Sequence, residues 1–245
     1  MSEVTILELN NIGVRYRRKK NFFSHEYFWA ISNISLEIYN GETLGVIGRN
    51  GAGKSTLLSL LSGIIAPDSG TIQYMKNGFT ASLLSLQPGF VGQLSGRSNI
   101  LLGGLLLGME RRQINEILDE IISFSELGSF IDQPFYTYSS GMRARLGFSL
   151  AIHANPDIIL VDEVLGVGDI GFREKTSNVI RNFMSSQKTV VLVSHNINVI
   201  REHCNRVVWL ENGQVRTCGS PDTILSEYEK HFKVKSPSQG LIHRL

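Results

Sequence analysis

Two stretches near the start of the chain, TILELNNIGVRY from Thr5 and ISNISLEIYNGE from Ile31, alternate apolar and polar residues. A period of two sends successive side chains to opposite faces of a pleated strand, so both are expected as half-buried strands in an antiparallel setting. The run between them, RRKKNFFSHEYFW, is basic and then aromatic and reads as a loop or a short helix. Apolar density rises from Thr43 to Ile47. GRNGAGKS follows, then TLLSLLSGII, whose Leu57, Leu58, Leu61, Ile64 and Ile65 have helical spacing. The predicted order is strand, glycine loop, helix. QINEILDEIISF sets Ile114, Ile117, Leu118, Ile121 and Ile122 on one face, the cleanest amphipathic helix of the chain. DIILVDE and TVVLVSH are short continuous apolar runs ending in polar residues, as in buried parallel strands that carry functional groups at their carboxyl ends. RVVWLENGQVRTCG predicts a hairpin turning at Asn212-Gly213, followed by a helix near DTILSEYEKHF and, after Lys233, a loosely held tail.

Composition narrows the class without naming a partner. The 245 residues suit one α/β unit with an elaboration, or at most two small domains. With 42% hydrophobic residues, 19% charged and a formal charge of +2, the chain is neither disordered nor of the strongly basic kind that coats nucleic acid. Cys204 and Cys218 lack CxxC or metal-ligand spacing, and MSEVTILELN lacks the segments of a secretory signal, so a reducing cytoplasm is expected. The most apolar stretch, ILLGGLLLGM at 100–109, is about half the roughly 20 residues that a membrane-spanning helix requires.

Three places carry candidate chemistry. Gly48-Arg49-Asn50-Gly51-Ala52-Gly53-Lys54-Ser55 fits the pattern G-x-x-x-x-G-K-S/T. The glycines let backbone N–H groups wrap phosphates, Lys54 reaches the β and γ oxygens, and the Ser55 hydroxyl ligates Mg²⁺. Gly48, Asn50, Gly51, Ala52, Gly53, Lys54, Ser55 and Thr56 are the expected nucleotide contacts. Next, Ile158 to Val161 run into Asp162-Glu163. Asp162 is placed to hold Mg²⁺, and Glu163 to orient and deprotonate the attacking water. His195 closes the other apolar strand, where a ring nitrogen could touch a γ-phosphate; a lone histidine there is otherwise a satisfied surface or core group. Last, TYSSGMRARLGFSL places Ser139, Ser140 and Gly141 at the start of a helix running from Met142 to Leu150. Such a start leaves N–H groups pointing outward and makes an anion seat. One phosphate loop already serves one nucleotide, so a second seat is explained if two chains meet head to tail around two nucleotides.

These residues resemble the nucleotide-binding subunits of ABC transporters, whose signature usually reads L-S-G-G-Q where this chain has Tyr138-Ser139-Ser140-Gly141-Met142. The resemblance spans the chain from the first strand to about Phe232. It implies a P-loop NTPase fold of the α/β class: a RecA-like parallel sheet, an antiparallel β subdomain and a helical insertion. The expected division is core and β subdomain at 1–84 and 151–232, helical subdomain with the signature at 85–150, and tail at 233–245. It implies ATP and Mg²⁺ as cofactors, with Ser139, Ser140, Gly141 and Met142 contacting the nucleotide of a second copy. It further implies Asp169 as the dimer-interface aspartate, His195 as the switch histidine, and Tyr16 as the aromatic stacked on adenine, a place for which Tyr27, Phe28 and Trp29 compete.

Within that family, TYSSGM, DEVLGVGD and SGRSNILLGGLLLGM look like the ATPases that export O-antigen, capsule and teichoic acid polymers. EYFWAISNISLEI and FIDQPFYTYSSGMRARL are similar to the O-antigen branch. Where that branch reads Glu-Leu-Gly-x-Gly-Phe, this chain has Ser85-Leu86-Gln87-Pro88-Gly89-Phe90, which makes Gln87 the candidate link between Mg²⁺ and a membrane partner, one residue off the common register. The implied setting is the cytoplasmic face of the bacterial inner membrane, with an integral channel subunit as partner and the polymer handled by that channel. No nucleic acid partner and no appended carbohydrate-binding domain are expected. A soluble ATP-dependent clamp and a phosphate-loop kinase are the rival classes. The first usually carries two cassettes or a long coiled coil, and the second leaves Ser139 to Met142 unexplained.

Overall fold

The computed structural model of the chain describes residues 4–19, 24–84, 89–162 and 170–235. Strands β1 (Thr5–Lys19), β2 (His25–Tyr39), β3 (Thr43–Ile47), β4 (Ser69–Tyr74), β5 (Ala81–Leu83), β6 (Ile158–Val161), β7 (Thr189–Val193), β8 (Arg206–Glu211) and β9 (Gln214–Gly219) form two sheets. The antiparallel sheet has the order β2-β1-β4, and the larger one β5-β6-β7-β3-β8-β9. Within the larger sheet β5, β6, β7, β3 and β8 run parallel, and β9 closes the edge antiparallel to β8. Every residue of β3, β6 and β7 is buried, as their unbroken apolar runs require of strands covered on both faces.

The helices divide between the sheets and a separate cluster. α1 (Lys54–Leu61) packs between the sheets, in one core with Leu7, Leu9, Ile12, Ile31, Ile34, Leu44 and Val46. α5 (Ile170–Met184), α6 (Ile197–His203) and α7 (Pro221–Lys235) contribute to the core on the other face of the large sheet, with Phe172, Ile180, Ile200, Ile224 and Leu225. α2 (Gly96–Leu106), α3 (Arg111–Ser125) and one face of α4 (Ser140–His153) build a third core around Ile100, Ile114, Ile121, Phe135 and Leu146. α4 belongs to two cores at once, giving Leu146 and Leu150 to the helical cluster and Phe148 and Ala151 to the sheet.

The alternating strands, the glycine loop between β3 and α1, and α3 stand where the sequence predicts them, and the Asn212-Gly213 turn joins β8 to β9. Three expectations need correction. Of the run from Arg17 to Trp29, expected as a loop or short helix, residues 17–19 and 25–29 belong to β1 and β2 and pair at Arg17↔Tyr27, Arg18↔Glu26 and Lys19↔His25, while 20–23 lie outside the described residues. An ion pair between Arg18 and Glu26, and the Arg15 guanidinium 5.0 Å from the Tyr27 ring, supply cross-strand contacts that apolar alternation would not reveal. Helix α1 stops at Leu61, so Ile64 and Ile65 are not helical. Gly63, at φ 72°, donates to the Leu60 carbonyl and Ile64 to that of Ser59, a left-handed cap that ends the helix. α7 reaches Lys235, into the segment expected as loose tail; the rest of that tail, 236–245, lies outside the described residues.

Asn99 joins the loop before α2 to its first turn. Fully buried, its Oδ1 accepts from Val91 N–H at 2.7 Å, and its Nδ2 lies 3.0–3.2 Å from the carbonyls of Val91, Leu94 and Ser95. Asn99→Leu, which strands those backbone groups in the interior, should destabilise the fold by about 2–4 kcal/mol, seen as a lower urea midpoint.

Candidate functional site

The phosphate loop owes its shape to what crowds it from behind. Gly48 has φ 154°, and a Cβ there would stand 2.4 Å from the Leu210 carbonyl oxygen of β8. Gly53, at φ 102°, would put a Cβ 2.6 Å from Ile31 Cγ2 and 2.8 Å from the Ala30 carbonyl of β2. Only glycine meets both the dihedral and the space. The Ala52 carbonyl accepts from Gly213 N–H at 3.2 Å, while Ser32 N–H donates to the Gly213 carbonyl at 2.8 Å, so the β8–β9 turn joins the loop to β2. Sequence reasoning located that turn but not its place behind the loop, which depends on the neighbouring order of β3 and β8.

α1 begins at Lys54 with Gly53 as its N-cap, and Gly53 has no side chain to occupy the first-turn N–H groups. Those groups and the positive end of the helix favour an anion. Lys54, only 8% exposed, folds back so that its Nζ donates to the carbonyls of Gly48 at 2.7 Å and Arg49 at 3.1 Å. The ammonium thus sits over the hollow of the loop.

A cleft of about 580 Å³ opens in front of the loop. Its lining brings together Asn50, Gly51, Gly53, Lys54, Ser55 and Thr56, with Asp162 at the end of β6 and His195 after β7. β6, β7 and β3 are parallel neighbours, so their carboxyl ends deliver these groups to one place. A hydroxyl from Ser55 and a carboxylate from Asp162 in the same cleft are hard oxygen donors, the set that Mg²⁺ prefers. His195 is exposed between Ser194 and Asn196; the Asn196 N–H donates to Ser194 Oγ at 3.1 Å, and its Oδ1 caps α6. Gly48 and Ala52 shape the loop from behind instead of lining the cleft.

At the other end stand Tyr16 and Phe28, directly paired across the hairpin with ring centroids 6.1 Å apart. Trp29 also borders the cleft, but its ring covers Gly13, where a Cβ would lie 2.7 Å from Trp29 Cζ3, and Arg15 lies over its face. Tyr27 is not part of the lining and pairs with Arg17.

Ser139, Ser140, Gly141 and Met142 do not line this cleft. Ser139 is the N-cap of α4, its Oγ accepting from Met142 N–H at 3.2 Å. Arg143 fixes the turn before it, its Nε donating to the Tyr138 carbonyl and its Nη2 to that of Tyr136, both at 3.1 Å. Tyr138 is buried with its hydroxyl donating to the Phe130 carbonyl at 2.6 Å, so the seat rests on a fixed base while Ser139 and Ser140 face outward. Gln87, Glu163 and Asp169 lie outside the described residues.

A strand, a glycine loop with a lysine folded over it, a helix, and a strand-terminal aspartate in the same cleft define the phosphate-loop class of nucleotide-binding α/β proteins. The family model described as ABC transporter matches residues 31–166, and the chain belongs to that family. Over 203 residues it is 49% identical to the teichoic acids export ATP-binding protein TagH of Lactococcus lactis, covering 83% of this chain and 43% of that one. It is 45% identical over 203 residues to the O-antigen export system ATP-binding protein RfbB of Klebsiella pneumoniae, covering 83% and 82%. The chain spans 43% of the length of the Lactococcus protein and 61% of the corresponding protein of Listeria innocua. Among solved structures, a dimeric ATP-binding cassette in a post-hydrolysis state with ADP and Pi superposes with a TM-score of 0.69 at 23% identity, covering 88% of this chain and 99% of that one, which shows the shared fold.

The two faces of the hairpin generate a test. Tyr16→Ala or Phe28→Ala should weaken binding of a fluorescent ATP analogue roughly tenfold, the scale of one lost base-stacking contact. Tyr27→Ala, on the opposite face, should leave the titration within about twofold of wild type.

Proposed function

We propose that the chain is the ATP-hydrolysing motor subunit of an exporter that moves a lipid-linked polysaccharide of the O-antigen type across the bacterial inner membrane. It works as an ATP-sandwiched pair of copies, docked on the cytoplasmic side against an integral channel subunit that handles the polymer. Among the described residues no helix is long and apolar enough to cross a membrane, so in this reading the channel supplies the span. The O-antigen exporter relative, matched over 82% of its length, supports the export class. The teichoic acid relative favours a second reading with the same motor and a teichoic acid as polymer. Deleting the gene should strand the lipid-linked polymer inside the cell, and analysis of its sugars separates the two.

The observation that carries the shared site is Gly141. Its φ is not in the left-handed region, and a Cβ there would meet only Ser139 Oγ, at 3.8 Å. Among the described residues nothing calls for glycine there. Early in a helix, glycine costs stability relative to alanine, and the loss is explained if a triphosphate on a second copy must approach this backbone closely.

In the proposed cycle, the phosphate loop and Lys54 hold ATP while Tyr16 and Phe28 face the base. Ser139, Ser140 and Gly141 of the other copy then close on the γ-phosphate. Ser55 and Asp162 would hold Mg²⁺, which neutralises charge on the β and γ oxygens. Glu163 takes the proton of the attacking water, His195 contacts the γ-phosphate, and Asp169 lies at the seam. Closure pushes on the channel through the helical subdomain, with Gln87 as the link; the division at residues 85 and 150 belongs to the same proposal.

Gly141→Asp should leave thermal unfolding within about 2 °C of wild type, since an acid near a helix N-terminus is tolerated, and should abolish hydrolysis by like-charge repulsion of the triphosphate. Glu163→Gln should retain ATP, lower turnover by at least about a hundredfold and accumulate dimers on size exclusion; near-normal phosphate release would remove Glu163 from its role.

A further inference from the structure

A second cavity, of about 560 Å³, shares Asn50, Gly51 and His195 with the nucleotide cleft and is walled also by Trp209, Tyr228 and Phe232. It shows how α7 reaches the phosphate loop. Trp209 of β8 is 1% exposed and lies 5.1 Å from the Tyr228 ring and 5.2 Å from that of His231. Arg216 of β9 stacks on the same indole at 4.2 Å and donates to Glu211, which His231 Nε2 also meets at 3.2 Å. These contacts fix the last turns of α7 against β8 and β9.

Phe232, on that fixed surface, lies under the Arg49 guanidinium at 5.6 Å from the ring centroid. Arg49 is the second residue of the phosphate loop. Its carbonyl accepts from Ala52 N–H at 3.1 Å and from Lys54 Nζ at 3.1 Å. Holding its side chain therefore restrains the backbone turn on which the phosphate-binding lysine rests. Nothing in the nucleotide reading of the cleft uses Phe232.

We infer that α7 braces the phosphate loop through the Phe232–Arg49 contact, and that these two are positioning residues setting the affinity for a nucleoside triphosphate. A loop held in its binding shape loses less freedom when the ligand arrives. Arg49 is exposed, and a guanidinium over an aromatic face at such a site biases that shape by about two- to fivefold in a binding constant. The inference rests on the phosphate loop as the triphosphate site, and wild-type binding serves as its control.

The test is equilibrium titration of the full chain with a fluorescent ATP analogue, alongside thermal unfolding and turnover at saturating ATP. Phe232→Ala should raise the dissociation constant about two- to fivefold, with kcat within about twofold of wild type, beside a lower unfolding temperature from the ring contacts it loses with Tyr228 and His231. Phe232→Tyr, which keeps the ring, should restore wild-type affinity. Arg49→Met should weaken binding to a similar extent, and the double variant no further than the weaker single one, because both remove one interaction. Unchanged affinity in Phe232→Ala, failure of Phe232→Tyr to rescue, or losses that multiply in the double variant would each overturn the brace. If wild type itself binds no triphosphate, the nucleotide reading fails with it.

Discussion

The fit of a glycine backbone into a space with no room for a side chain is the constraint on which the rest of the molecule depends. Gly48 lies against the Leu210 carbonyl and Gly53 against Ala30 and Ile31, so the phosphate loop is wedged between β8 and β2 before any ligand is bound. With the loop fixed, the Lys54 ammonium has one buried place to go, over the carbonyls of Gly48 and Arg49. The parallel order β6-β7-β3 then delivers Asp162 and His195 in front of it. An additional methyl group at either glycine would displace the loop from both supports, and a triphosphate would meet its donors in the wrong geometry.

The proposed motor also needs a stiff connection between the start of α4 and the sheet. α4 supplies one by lying in two cores, since Leu146 and Leu150 cannot move without Phe148 and Ala151. A second tie is polar. Glu126, in left-handed conformation at the end of α3, receives Lys175 of α5 at 2.7 Å and Arg145 of α4 at 2.8 Å. The Lys175 ammonium, with Arg145 beside it, holds the Glu126 carboxyl below its usual titration range. With Glu126 half exposed, this trio adds orientation more than stability. In the proposed cycle these ties would couple the start of α4 to the sheet.

How much of this was legible depended on whether a feature is local. The strand, glycine loop and helix from Thr43 to Leu61 could be read because the chemistry is written in consecutive residues, and the apolar runs ending at Asp162 and His195 marked the neighbouring strand ends. The capped helix start at Ser139 could be read because it is a local pattern, while its signature role rests on resemblance. The far end of the β1–β2 hairpin could not, because Arg17, Arg18 and Lys19 show no apolar alternation and are paired through charge and cation–ring contacts instead. For the same reason the choice among Tyr16, Tyr27, Phe28 and Trp29 stayed open. It turns on register, which sets Tyr16 opposite Phe28 and Tyr27 opposite Arg17. The meeting of Arg49 with Phe232 spans most of the chain and leaves no trace in spacing. Gln87, Glu163 and Asp169 rest on motif and resemblance.

The central claim is that one copy cannot complete the site that cleaves its nucleotide, because the second set of anion donors belongs to its twin. The most direct measurement is the ATPase rate per copy, at saturating ATP and Mg²⁺, across protein concentrations that cross the dimerisation range. The account predicts a per-copy rate that falls in proportion to concentration once copies separate. A per-copy rate that stays constant while light scattering shows only monomers would contradict it.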